Sequence, residues 1–361
     1  MKNKSVNMKK LIATPFLFCL SLFTFQVQAQ ESVDVLIRDN GTERKESIEL
    51  PPSMTYPLDS LLNDWKAKNY IDLGKDCSTS TENPFFSDSV YIDRLSRIPA
   101  VMEMPYNEIV RKFIDMYTGR LRNNVSFMLS ACNFYMPIFE EALDTYGLPL
   151  ELRYLPIIES ALNPSARSRA GACGLWQFML ATGKMYGLES NSLVDERCDP
   201  IKATWAAGGK TDYWEIYNFL PKETRGYVPA FIAANYVMTY YCKHNICPME
   251  TNIPDATDTV QVTKNLHFEQ LADICSVSME EIKSLNPQYK KNIIPGESKA
   301  QTLRLPMNYI STFIDSQDTI YAHRSNELFK NRRTVAIPET RSTARRATTG
   351  NGKLTYHKIR S

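Results

Sequence analysis

The chain has 361 residues, room for two or three domains, and its 43% hydrophobic and 23% charged residues are the balance of an ordinary globular protein. The formal charge of +2 includes four lysines at the extreme N-terminus; without residues 1–29 there are 38 basic against 40 acidic residues, or −2. That balance excludes a nucleic-acid-binding surface built on bulk charge, so no nucleic-acid partner is expected.

In chain order, Lys2, Lys4, Lys9 and Lys10 precede an apolar run from Leu11 to Phe25, and Val27-Gln28-Ala29 offers small residues for cleavage. This three-part layout predicts a signal peptide over residues 1–29. The run is roughly 15 residues, short of the about 20 that a membrane span needs. Cys19 follows Phe18, where a lipidation signal wants a small residue, so a soluble exported protein is expected, in the periplasm or cell envelope. Seven cysteines remain: Cys77, Cys132, Cys173, Cys198, Cys242, Cys247 and Cys275. Export permits disulfides, but an odd number leaves one thiol over. Cys242 and Cys247 bracket His244, but one histidine and two cysteines fall short of a structural zinc set. A local disulfide or two packed thiols is the expectation there, and no cofactor is expected.

Residues 30–88 are polar, with Pro51-Pro52 and Pro57 as breakers, and predict a loosely ordered lead-in. From Ser89 the pattern turns helical. Ile109, Val110, Phe113, Ile114 and Tyr117 recur at helical spacing, as do Met128, Leu129, Cys132, Tyr135 and Met136. A mainly α fold follows, with one helical domain over 89–250.

Past Pro254 the texture changes. Thr259–Val262 and Thr302–Leu305 predict strands, and Phe268–Ile274 and Met279–Asn286 predict helices between them. This βααβ pattern over 254–310 resembles a LysM domain, the small fold that binds N-acetylglucosamine polymers. Leu285-Asn286-Pro287 and Ile294-Pro295-Gly296 carry the likeness. Asn265-Leu266-His267 stands where that family has a Gly-Asp/Glu-Thr turn, so a glycan-binding role and a packing role both stay open. Residues 311–352 predict a flexible linker, rich in Thr, Arg, Ser and Gly toward its end. Residues 353–361 read as the first strand of a further LysM domain, cut short at its turn.

The chemistry lies between Gly147 and Leu188. Pro149 suits the first turn of a helix, and Leu148, Leu152, Leu155 and Glu159 follow at spacings of four, three and four. This arithmetic puts the Glu159 carboxyl on an apolar stripe, where desolvation favours the protonated form. Pro156 predicts a kink beside it. A buried ion pair of Glu159 with Arg153 or Arg167 would satisfy the same spacing.

Glu159-Ser160-Ala161-Leu162-Asn163-Pro164 is followed by Ser168-Arg169-Ala170-Gly171-Ala172-Cys173 and then Gly174-Leu175-Trp176-Gln177-Phe178. In this order the chain resembles the soluble-type (SLT) lytic transglycosylases of the lysozyme superfamily, most like the membrane-bound lytic murein transglycosylase D group. The resemblance implies a lysozyme-like helical domain, a peptidoglycan glycan strand as partner, and cleavage of MurNAc–GlcNAc bonds with formation of 1,6-anhydroMurNAc. By it Glu159 is the single acid/base, Ser160 and Ser168 lie near the reacting sugar, and Gln177 holds the glycan. Tyr227, in Arg225-Gly226-Tyr227-Val228-Pro229, matches a tyrosine that orients the acid. Packing into the core is the other fate open to Leu175, Trp176, Phe178 and Tyr227. The chain departs from the family at Ala206-Ala207-Gly208-Gly209-Lys210, where an A-Y-N-x-G segment is expected between Ala207 and Gly208. Its loss would open one wall of the glycan cleft. An active but impaired enzyme, an inactive peptidoglycan-binding protein and a lysozyme-type hydrolase are therefore the readings carried forward. Oligomeric state is not legible.

Overall fold

A computed structural model describes residues 31–39, 42–56, 67–70, 82–208, 226–251, 254 and 256–329. The expected signal peptide, most of the linker and the final nine residues lie outside these. Among the described residues no helix is long and apolar enough to cross a membrane.

The lead-in is more ordered than expected. Strands β1 (Ser32–Asp39) and β2 (Thr42–Glu49) pair antiparallel from Ser32↔Glu49 to Asp39↔Thr42. In the sequence, Asn40-Gly41, outside the described residues, falls between them and is a dipeptide that tight hairpins favour. A 3-10 turn comes next at Pro52–Thr55, and Ile48, Leu50 and Met54 bury their side chains in the main core. Further on, Ala67–Tyr70 (β3) pairs with Met249–Thr251 (β4).

The helical domain keeps closely to the predicted periods. Helix α1 spans Asp88–Ser96, α2 spans Glu108–Thr118, and α3 spans Arg122–Thr145. Asn107 starts α2 by accepting hydrogen bonds from the amides of Ile109 and Val110 at 3.0 and 2.9 Å. Val110, Phe113, Ile114 and Tyr117 form its buried stripe. Helices α4 (Leu155–Ser160), α5 (Leu180–Met185) and α6 (Pro200–Gly208) come after it. Helix α7 (Tyr227–Tyr240) is the domain's axis: every residue from Pro229 to Met238 is buried, as expected of a helix apolar on all sides. It packs against α2 and α4.

Cys247 is disulfide-bonded and Cys242 is not, so the local disulfide, one of the two outcomes expected there, is not formed. His244 is fully buried, with Nε2 3.1 Å from the Tyr236 hydroxyl and Nδ1 3.4 Å from Asn83 Oδ1. Both ring nitrogens are thus engaged within an aromatic nest of Phe86, Tyr91 and Tyr236. Burial, helped by the charges of Arg94, Arg122 and Arg111, lowers its pKa to about 4. The unfolded chain takes up this proton near pH 6.5 and the folded chain only near 4. Stability should therefore fall by about 3 kcal/mol as pH drops through that window, and stay level above it. Urea unfolding at pH 7 and pH 4.5 checks this: His244→Phe should lose much less stability on acidification than the wild-type chain, and equal losses would refute it.

The C-terminal module has β5 (Thr257–Val262) paired antiparallel with β8 (Gln301–Pro306), and β6 (Asn265–His267) with β7 (Ile293–Pro295). Helices α8 (Phe268–Cys275) and α9 (Met279–Leu285) lie between, close to the predicted bounds. His267 does at the start of α8 what a threonine would do. Its Nδ1 accepts from the Glu269 amide at 3.2 Å, and Gln270 Oε1 accepts from the His267 amide at 2.9 Å. The linker expected from residue 311 is corrected in its first part. Helices α10 (Met307–Asp315), α11 (Gln317–Ala322) and α12 (Ser325–Leu328) continue the module, and Phe313 and Ile320 are fully buried in its core. Buried Gln270 fastens them, its Nε2 donating to the carbonyls of Tyr321 and His323.

Candidate active site

Pro156 does not kink a long helix. The chain instead makes a 3-10 turn at Leu150–Tyr154 and restarts as α4, with Pro156 in the first turn where no amide is needed. Glu159 is the penultimate residue of α4 and is half-buried, whereas Ile157, Ile158 and Ser160 are buried. The carboxyl thus sits at the rim of the core, a correction to the apolar-stripe expectation. The two arginines that could have paired with it are engaged elsewhere: Arg153 with Glu140, and Arg167 with Asp195.

Just beyond α4 the backbone is unusual. Ala161 and Leu162 have φ of 52° and 60°, a left-handed conformation that costs a non-glycine residue about 1 kcal/mol each. Burial of both side chains and two hydrogen bonds, Ala161 N to Ile157 O and Leu162 N to Pro156 O, hold it. The end of the short helix is therefore fixed.

Ser160 joins this helix end to the second motif. It is fully buried, and its Oγ lies 3.0 Å from both Pro156 O and Leu175 O, with one proton to share between them. Ser160, expected near the reacting sugar, thus clamps the end of the Glu159 helix to the Gly174–Phe178 turn. Ser168 closes a small loop, its Oγ accepting from the Ala172 amide at 3.0 Å. Gln177 is half-buried with φ of 46°, and its Nε2 donates to Gly174 O at 2.8 Å and Ala166 O at 3.3 Å. Leu175 and Phe178 are core residues. Trp176 stands edge-on to Phe139 and donates from Nε1 to Thr204 at 3.0 Å, tying the turn to α6. Gly174 is required here: φ is +86° and a Cβ would lie 1.8 Å from Arg197 O.

Beneath the turn lies a buried charge hub that sequence reasoning missed. Arg197 donates to the carbonyls of Gly171 and Phe178 at 2.9 and 3.0 Å. It also grips Asp195 bidentately at 2.9 and 3.0 Å. Arg167 and Lys290 add their charges to Asp195 at 3.2 and 3.6 Å. Burial pushes the Asp195 carboxyl up, but these three cations outweigh it and hold the pKa below the usual range. Lys290 belongs to the C-terminal module, and Val194 pairs with Tyr289 and is buried in that module's core. The module therefore grips the loop that supports the Gln177 turn. Cys173, Asp195 and Cys198 place ligand atoms within 4.8 Å of one another, but a metal cation would enter there against the guanidinium groups of Arg167 and Arg197.

Tyr227 opens α7, which packs on α4, and it is half-buried against the main core. Arg225, its partner in the motif, lies outside the described residues, as do Gly209 and Lys210 past the end of α6. The exposed apolar side chains Met179, Leu180 and Met185 lie on and beside α5, immediately after the Gln177 turn. Ser53 and Tyr56 also border the Glu159 helix, although their segment read only as polar lead-in.

Comparison with known proteins agrees with this layout. Residues 136–210 match the model of the transglycosylase SLT domain, and residues 256–322 match that of the LysM-like domain of lytic transglycosylase MltD. The chain thus carries an SLT domain followed by a LysM-like domain, and the second match extends beyond residue 310 as the helices do. It is 24% identical over 254 residues to membrane-bound lytic murein transglycosylase D of Escherichia coli K12, covering 60% of this chain and 55% of that protein. It is 35% identical over 103 residues to a putative tributyltin chloride resistance protein of an Alteromonas species, covering 27% of this chain and 50% of that one. The chain spans about half the length of the curated relatives it matches.

Proposed function

We propose that this chain is a peptidoglycan lytic transglycosylase that cleaves MurNAc–GlcNAc bonds with Glu159 as its single acid/base. The observation that carries the reading is the clamp by which Ser160 fastens the end of the Glu159 helix to the Gly174–Phe178 turn, so that two motifs whose contact spans 15 residues meet in one SLT domain. Glu159, at the rim of the core, is both partly desolvated and reachable. Glycoside hydrolysis ordinarily needs two carboxylates. Here the second is replaced by the substrate. Protonated Glu159 gives its proton to the glycosidic oxygen, the C1–O bond breaks, and the N-acetyl group of MurNAc steadies the cationic centre. The Glu159 carboxylate then takes the proton of the MurNAc 6-hydroxyl, whose oxygen bonds to C1. No water is consumed, and Glu159 ends protonated as it began.

Gln177 and Ser168 border the glycan, and Tyr227 orients the carboxyl. The protein acts on the cell wall after export, with the LysM-like domain contributing to glycan binding. A second reading, a binding protein without turnover, is favoured by the contraction at Ala207-Gly208 and by the apolar exposure of Met179, Leu180 and Met185.

Incubation with purified sacculi tests the proposal. Soluble muropeptides ending in 1,6-anhydroMurNAc are expected, with no metal added. Fragments ending in reducing MurNAc would make the chain a lysozyme-type hydrolase. Binding without release would favour the second reading, and insertion of a family-type segment between Ala207 and Gly208 would then be expected to restore release.

A further inference from the structure

Two thiols face each other beneath the Gln177 turn. Cys173 Sγ and Cys198 Sγ lie 2.7 Å apart, on residues that are 0% and 2% exposed. A disulfide forms without backbone movement only where the fold already brings two thiols together. Here the backbone does so from both sides. Cys173 is held in the turn by a two-way pairing with Phe178: its amide donates to Phe178 O at 3.0 Å, and the Phe178 amide donates to Cys173 O at 3.1 Å. Cys198 ends the 3-10 turn Glu196–Cys198, its amide donating to Asp195 O at 3.0 Å. Between the two cysteines the backbones abut at Gly174, where a Cβ would lie 3.4 Å from Cys198 N.

The surroundings suit thiol–disulfide exchange, in which a thiolate attacks and nearby cations favour that form. Arg167 reaches Cys198 Sγ at 3.8 Å, and the buried Arg197 precedes Cys198 in the chain. The hydrogen bond from Cys198 holds the Cys173 thiol below the ordinary cysteine range, with Arg167 and Arg197 helping against burial and the Asp195 charge. Cys198, as the donor in that bond, is pushed the other way. Cys173 is therefore the attacking sulfur.

We propose that Cys173 and Cys198 form a cross-linking site that covalently fastens the Gln177 turn to the loop of the Asp195–Arg197 hub. The co-reactant is an external disulfide, small or carried by a protein. The Cys173 thiolate attacks one of its sulfurs, the external S–S bond breaks, and one thiolate leaves. Cys198 gives up its proton and attacks Cys173 Sγ, the mixed S–S bond breaks, and the second thiolate leaves. The two cysteines lose two electrons and two protons, and the external disulfide becomes two thiols. The new bond closes the 25-position span that carries Gln177 and α5, which restricts the unfolded chain. This concerns what holds the turn, and it stands whether or not Glu159 is the acid/base.

The test takes the full chain, reduced and unfolded in urea, and refolds it in a buffer of oxidised and reduced glutathione before alkylation and tryptic digestion without reductant. Mass spectrometry should find residues 170–184 joined to residues 198–202, two hydrogens lighter than the separate peptides together. The thermal midpoint should lie about 5–10 °C above those of Cys173→Ala, Cys198→Ala and the double variant treated alike. Refolding all four chains in dithiothreitol, which also removes the Cys247 disulfide from each, should largely close that gap. Separate alkylated peptides of Cys173 and Cys198 from the glutathione-refolded chain overturn the proposal, as does a gap of equal size with and without dithiothreitol. Should the chain fail to refold, the chain isolated without reductant is mapped in its place and judged by the same peptides.

Discussion

Replacing Glu159 by glutamine should cut release of soluble muropeptides by about 10²–10⁴-fold, the range that a positioned general acid–base supplies, or by more because two proton transfers depend on it. The substitution preserves size and removes only the titrating proton. Folding should be unaffected. Glu159 is half-buried, and Arg153 and Arg167 hold other carboxylates, so the change strands neither of them. A carboxylate kept only for a buried structural ion pair would behave in the opposite way, because breaking such a pair costs about 3–5 kcal/mol. Parallel assays of sacculus digestion and thermal unfolding separate the two patterns. A folded Glu159→Gln chain with wild-type release would remove Glu159 from the chemistry.

The larger loss of stability is expected at Asp195. Its carboxylate is 1% exposed, and the Arg197 side chain that it neutralises is 6% exposed. Asp195→Asn keeps the shape but leaves a buried guanidinium without its counter-charge, for a cost of about 3–5 kcal/mol. Because Arg197 also holds Gly171 and Phe178, the Gln177 turn should loosen, and because Lys290 reaches Asp195 from the module, so should the contact between the domains. The pH dependence has a defined sign. The folded-state pKa is depressed, so the contribution is complete above the ordinary carboxylate range and is lost as pH falls through the depressed value. Urea unfolding at neutral pH checks the magnitude; a change under about 0.5 kcal/mol, that of an ordinary surface substitution, would refute the hub.

The sequence disclosed what periodicity and punctuation encode. The stripes of α2 and α3 and the order of the C-terminal module are local patterns, and Leu285-Asn286-Pro287 marks the end of α9 because Asn286 bonds the carbonyls of Ile282 and Arg304. The motif order around Glu159 was equally plain. Three features escaped for physical reasons. Strand β2 is so highly charged that it shows no apolar face, and its pairing is carried by backbone bonds to β1. Pro156 restarts a helix instead of bending one, and only the φ and ψ of its neighbours distinguish these outcomes. The grip of Arg197 on Asp195, two residues away, and the seating of Ser53 on the Glu159 helix depend on tertiary approach. Residues 32 and 49, or 53 and 158, carry no mark that they will meet.

If Glu159 serves a lytic reaction, the substrate's own hydroxyl, and not water, attacks C1. Digestion of sacculi by the full chain in water labelled with heavy oxygen, with the released muropeptides weighed, distinguishes the two nucleophiles. Products one water lighter than reducing muropeptides, and free of label, are expected. Label at C1 of the released MurNAc would contradict the lytic mechanism.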